Sequence, residues 1–243
     1  QGNIDQSIKW DKRYQKDVIQ IYKNLTKKAI QDGTDLVIWP ETALPFYFGY
    51  NKLLTEDIKN FVKNISVPLL TGTPLIKNYT KNNIYVSNSA ILINKDGNMT
   101  MVYDKIHLVP FGVYIPLKEV LFFIDRLVEG VGNFIKGDDF TIFKIGNWNL
   151  FTIICYEAIF PELVRSFHNA DMIVNITNDA WFGKTSGPYQ HFEIAKVRAV
   201  ENRLPLVRVA NTGTSGVVNI KGEVVLKTQL FKKEYLNVNV KLS

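Results

Sequence analysis

Between Trp10 and Gln31 the apolar residues Val18, Ile19, Tyr22, Leu25 and Ala29 recur at three- and four-residue steps. That spacing predicts an amphipathic helix, ended by Asp32-Gly33. Leu36 to Trp39 is a short apolar run closed by Pro40, the pattern of a buried strand. A helix is expected near Thr55 to Asn64, followed by strands near Val67 to Thr71 and Ser87 to Ile93. A turn at Lys95-Asp96-Gly97-Asn98 then leads to a strand at Thr100 to Tyr103, and the Asp-Gly pair marks a hairpin.

Beyond a long proline-containing loop, strands are predicted near Thr141 to Ile145 and Asn149 to Ile154, joined by Gly146-Asn147. A helix near Pro161 to His168, a buried strand at Met172 to Asn175 and a helix at Tyr189 to Asn202 follow. Four more strands are expected near Leu206 to Ala210, Gly216 to Ile220, Val224 to Leu226 and Leu236 to Val240. Strands thus arise both from βα units and from hairpins, which points to an α/β fold of mixed sheets with helices outside. No internal repeat and no linker divides the chain, so one domain over residues 1–243 is expected.

With 46% hydrophobic and 21% charged residues the chain falls within the globular range and outside the disordered one. The net charge of +6 comes from scattered residues, and no zinc-finger, RNP-type or basic-zipper pattern accompanies it. No nucleic-acid partner is therefore expected. The richest apolar segment, Ile106 to Val128, is broken by two prolines and four charged residues, so no bilayer span is predicted. The first residue is Gln1 rather than Met, which is expected of a domain excised from a larger, polytopic membrane protein.

Cys155 is the one cysteine, so any thiol chemistry centres on it. It ends the run Phe151-Thr152-Ile153-Ile154 and precedes a helix-like segment, a nucleophile's position with backbone N–H groups nearby. On position alone, a lone cysteine after a strand is more often a small buried hydrophobe. Glu41 follows the strand ending at Trp39-Pro40, where a poorly hydrated carboxylate suits proton transfer. An isolated glutamate there more commonly braces a loop. Lys105 follows the strand ending at Tyr103-Asp104, where an ammonium would stabilise an oxyanion or a thiolate; taken alone it reads as a surface lysine. A thiol, a carboxylate and a lysine fit acyl transfer and amide hydrolysis equally.

Glu, Lys and Cys in that chain order, each at a strand end, resemble the triad of the carbon-nitrogen hydrolase, or nitrilase, superfamily. The resemblance narrows to the periplasmic domain of the bacterial apolipoprotein N-acyltransferase family. It rests on Gly2-Asn3-Ile4-Asp5-Gln6 with Lys9-Trp10, on Trp39-Pro40-Glu41-Thr42-Ala43, and on Tyr103-Asp104-Lys105 with Leu108-Val109-Pro110-Phe111-Gly112. Cys155-Tyr156-Glu157, Asn178-Asp179-Ala180-Trp181-Phe182-Gly183, and Glu201, Arg203, Asn211 and Ser215 in the Arg198 to Gly216 segment extend it almost to the end.

That resemblance implies a four-layer α-β-β-α sandwich at the periplasmic face of the bacterial inner membrane. It implies Cys155 as the nucleophile that takes an acyl chain from a phospholipid donor as a thioester. Glu41 is then the general base, and Lys105 holds the oxyanion with the backbone N–H after Cys155. Trp10, Tyr156 and Glu157 match positions implied to shape the pocket and orient the triad. The acceptor implied is the N-terminal amine of a diacylated lipoprotein. The alternatives are a nitrilase-type amidase and an inactive lipid-binding domain.

One position departs from the family pattern. After the lysine the family continues Pro-Phe-Gly-Glu-Tyr, whereas this chain reads Pro110-Phe111-Gly112-Val113-Tyr114. Val113 cannot supply the second carboxylate beside the triad, and Glu119 lies six residues too late. The apolar loop Ile106 to Val128 is expected to act partly as a lid at the membrane surface and partly as core. His107, His168 and His191 lack metal-ligand spacing, and Gly130-Val131-Gly132-Asn133 lacks the third glycine of a dinucleotide loop. Neither a metal nor a cofactor is expected.

Overall fold

The computed structural model describes residues 1–80, 83–108 and 133–242. Two mixed sheets carry the chain. Strands β1 (Val37–Ile38), β2 (Leu69–Tyr79), β3 (Ile84–Ile93) and β4 (Met99–Asp104) run in that order in the first sheet, with β5 (Asn133–Phe134) beside the start of β3. The second sheet has the order β11-β10-β9-β8-β7-β6, built from β6 (Ile142–Ile145), β7 (Trp148–Ile154), β8 (Met172–Thr177), β9 (Leu206–Ala210), β10 (Gly216–Val218) and β11 (Val224–Lys227). Pairing is parallel for β1 with β2 and through β7, β8 and β9, and antiparallel in the hairpins.

Side chains that alternate along β2 and β3 feed two cores. Leu69, Ile91 and Ile93 pack outward with Val18, Ile19 and Tyr22 of helix α2 (Gln15–Ala29) and Ile58, Phe61 and Val62 of α3 (Lys52–Ile65). Leu70, Ala90, Leu92 and Tyr103 pack inward, in one cluster with Phe151, Ile153 and Val174 of the second sheet. That cluster continues to Leu163 and Val164 of α4 (Pro161–Arg165) and to Phe192, Ala195 and Ala199 of α5 (Gly187–Asn202). The expected α-β-β-α layering follows from this partition, because a period of two gives each strand one face for each core.

Several elements differ from the sequence expectation. The helix predicted over Trp10 to Gln31 is α2, which starts only at Gln15, and an unpredicted four-residue α1 (Gln6–Lys9), capped by Asp5 on Ser7 N and closed by Trp10, precedes it. The β2–β3 hairpin is longer than the apolar pattern, running into exposed Lys77, Asn78 and Tyr79. After β7 the chain forms a 3-10 turn, Cys155–Ile159, before α4. Leu236 to Val240 is not a strand: its apolar residues are half-buried in alternation, yet they form no ladder with the described residues. Val240 and Leu242 pack on the core, and Asn237 Nδ2 donates to the carbonyl of Ala29 at the end of α2.

Candidate active site

Glu41 lies just past β1, Lys105 directly after β4 and Cys155 directly after β7, so the sheets bring their strand ends together. The Lys105 Nζ is 3.5 Å from Glu41 Oε1, with both side chains buried. Asn88 on β3 donates its Nδ2 to the same oxygen at 2.7 Å. Glu41 Oε2 has no partner among the described residues, which leaves one carboxylate oxygen open to accept a proton. The loop under Glu41 requires a glycine on β2, since a Cβ on Gly72 would collide with Thr42 N and Glu41 Cα.

Lys105 is fixed through its backbone, its N–H donating to Asn88 O and its carbonyl accepting from Gly137 N, both at 2.9 Å. Burial opposes its charge, but Glu41, Cys155 and Glu157 outweigh burial and hold its pKa above the ordinary value. Cys155 has φ of +55°, a left-handed conformation that turns the chain sharply out of the strand. Burial, followed by the charge of Glu41, pushes its thiol up to about 12, while Lys105 and a hydrogen bond from Thr177 pull it back. The resting thiol is therefore neutral and needs a base as it attacks.

Glu157 is fully buried and joins two of these strand ends. Its carboxylate accepts from Ile106 N at 2.7 Å and His107 N at 3.1 Å, just beyond Lys105, and from Ile154 N at 2.7 Å, just before Cys155. The Tyr103 hydroxyl donates to both of its oxygens. Glu157 therefore caps the turn that begins at Cys155 and ties it to the backbone after Lys105 with one set of bonds. Trp10 is half-buried beside the fully buried Lys9, whose Nζ donates to the Glu41 carbonyl at 3.1 Å. The exposed Tyr156 ring stands edge-on to Phe160 and tilted over His191. Val113 lies outside the described residues, as does most of the Ile106 to Val128 loop.

The sequence reading missed a buried polar scaffold behind Cys155. His191 Nε2 donates to the Cys155 carbonyl at 3.2 Å, and Asn175 Nδ2 donates to it at 3.4 Å. Because a carbonyl only accepts, Nε2 carries the imidazole proton. Burial, then Arg208, lowers the His191 pKa, and its Nδ1 lies 2.9 Å from Asp179 Oδ1 and 3.0 Å from Arg208 Nη2. Arg208 also donates to Asn175 Oδ1 and to Asp179 Oδ2, the latter at 2.9 Å. An arginine inside the apolar run Leu206–Ala210 was the one visible signal. Among the described residues no group of His, Cys, Asp or Glu could hold a metal ion.

The carbon-nitrogen hydrolase family model matches residues 2–243. The chain belongs to the carbon-nitrogen hydrolase family. As a carbon-nitrogen hydrolase it is 42% identical over its whole length to a Geobacter metallireducens protein named apolipoprotein N-acyltransferase. A Rickettsia prowazekii protein of the same name is 38% identical over 97% of this chain. The chain spans only about half the length of these relatives, 47% in both cases. A solved carbon-nitrogen hydrolase from Helicobacter pylori G27 shares the fold at a TM-score of 0.69 with 20% identity, covering 90% of this chain and 82% of that one. A variant of an amidase from Nesterenkonia sp. AN1, with an acetamide moiety added at its active-site cysteine, aligns at a TM-score of 0.64 with 18% identity, covering 91% and 82%.

Proposed function

We propose that this chain is the catalytic domain of an apolipoprotein N-acyltransferase. The observation that carries this reading is the convergence of Glu41, Lys105 and Cys155 at three strand ends, in a chain that matches enzymes of that name along its whole length. The neutral Cys155 thiol attacks the ester carbonyl of a phospholipid while Glu41, through its open Oε2, takes the proton. The C–S bond forms, and Lys105 with the Tyr156 N–H holds the oxyanion. Collapse breaks the ester C–O bond, and the leaving lysophospholipid alkoxide takes the proton back from Glu41.

In the second half-reaction Glu41 accepts a proton from the N-terminal amine of a diacylglyceryl-cysteine lipoprotein as that amine attacks the thioester. The C–N bond forms, the C–S bond breaks and the thiolate is reprotonated. Trp10 and Tyr156 line the approach, and Glu157 keeps the lysine and the thiol in register. Exposed Trp181, next in sequence to the Phe182 ring that packs edge-on to His191, and exposed Tyr189 suit a membrane interface. The same reading places the domain on the periplasmic face of the bacterial inner membrane; no helix among the described residues is long and apolar enough to cross a bilayer.

The test is intact mass after incubation with phospholipid in detergent micelles, for the chain, for Cys155→Ala and for Val113→Glu. A hydroxylamine-labile acyl adduct that is absent from Cys155→Ala supports the reading. An adduct formed only by Val113→Glu marks this chain as the inactive, lipid-binding form. Turnover of simple amides without any acyl adduct points to an amidase instead.

A further inference from the structure

Lys9 is the most unusual buried group that the mechanism above leaves unused. It closes the four-residue α1 and has no exposed surface. Its ammonium has three N–H donors, and the one bond it makes among the described residues is to the backbone carbonyl of Glu41 at 3.1 Å. Among the described residues no carboxylate lies within ion-pair distance of it, unlike Lys105, which is paired with Glu41. A fully buried ammonium without such a partner is costly to the fold. Burial lowers its pKa to about 8, and the charges that act in the opposite direction are those of Glu41 and Cys155.

We infer that Lys9 is a second cation of the active site, which supports the negative charge that develops on Cys155 and anchors the Glu41 loop that takes its proton. It acts on the reacting groups through the Glu41 backbone and through space, so it is a positioning and electrostatic residue. The influence is mutual: a Cys155 thiolate favours the Lys9 ammonium, and that ammonium favours the thiolate. The other charged or titratable groups around the thiol come from every neighbouring element. Glu41 and Asp179 push its pKa up and Lys105 pulls it down. Glu157 acts on Lys105, and His191 holds the Cys155 carbonyl with Arg208 behind it.

The inference rests on Cys155 being the nucleophile, and its test uses thiol alkylation rather than acyl transfer, so each fails separately. Because Cys155 is the one cysteine, iodoacetamide labelling followed by intact mass reports that site alone. Labelling rates are measured across pH for the chain, Lys9→Met, Lys9→Arg and Lys105→Met, with a thermal melt of each. Lys9→Met is expected to move the labelling profile to higher pH and to slow labelling at neutral pH, about tenfold for every pH unit that the profile moves. It is also expected to melt higher than the parent, because it removes a buried charge. Lys9→Arg keeps most of the labelling rate. Should Lys9→Met fold poorly, Lys9→Gln retains a donor to the Glu41 carbonyl without the charge and gives the same comparison. A Lys9→Met or Lys9→Gln profile that superimposes on the parent overturns the inference, as does a Lys9→Arg profile slowed as much as that of the neutral variants. If Lys105→Met moves the profile and Lys9→Met does not, the inference fails while the triad reading stands.

Discussion

Replacing Glu157 by Gln keeps the shape of the side chain and removes one acceptor. In the better of the two amide orientations the oxygen still faces Ile106 N and His107 N, while the new NH2 group meets the Ile154 N–H. The Ile154 N–H and the amide N–H that faces it are both left unpaired, each at a cost of about 1–3 kcal/mol. Burial raises the pKa of Glu157, so removing its charge returns part of that cost, and the net loss is set near the lower end for two such donors, about 2 kcal/mol. The effect on chemistry is larger, because the bond that fails is the one that ties the Cys155 end of this link to the Lys105 end; a displacement of ~1 Å at a reacting group costs roughly 100-fold. Guanidinium unfolding measures the stability, with an unchanged slope expected. Single-turnover thioester formation, followed by intact mass, measures the rate, which is expected to fall 10- to 100-fold, on the order of the cost of such a displacement. A Glu157→Gln protein that acylates within about twofold of the parent would refute the positioning argument.

Gly72→Ala drives a methyl into Thr42 N and Glu41 Cα, so it is expected to reduce thioester formation more than labelling of Cys155, as checked by the same two mass assays. Thr177→Val removes a hydrogen bond that lowers the Cys155 thiol pKa, and labelling at neutral pH is expected to slow. Burial alone would raise the pKa of Asp179, but Arg208 and His191 outweigh it and bring the group from the usual 3.8 to about 2. A depressed carboxylate stabilises the fold above its unfolded pKa and loses that contribution as pH falls through its folded one. Urea midpoints are therefore expected to fall between about pH 4 and pH 2, and the fall should be shallower in Asp179→Asn.

How far the sequence carried depended on whether the signal was local. The strands before Glu41, Lys105 and Cys155 were legible because short apolar runs ended in a polar residue, and that alone placed three reactive groups at strand ends. The extension of β2 to Tyr79 was not, because its outer residues are polar and are held by cross-strand bonds rather than by burial. Alternation at Leu236, Val238 and Val240 reported half-burial correctly and pairing wrongly, since among the described residues no neighbouring strand completes a ladder there. The scaffold behind Cys155 draws Asn175, Asp179, His191 and Arg208 from three elements and a turn, with no spacing that links them. Lys9 stood in a recognised motif, but only its burial in the structure distinguishes it from a solvated helix lysine.

Glu41 and Lys105 belong to the first sheet and Cys155 to the second, so the site exists only while the two sheets are docked. This makes the lone thiol a built-in reporter of folding cooperativity. If a rising denaturant separates the layers before either sheet melts, the coupling between Cys155 and its lysine is lost while the circular dichroism signal is still native. Labelling kinetics would then change at a lower denaturant concentration than the spectrum, and the gap between the two midpoints would measure how weakly the halves are joined.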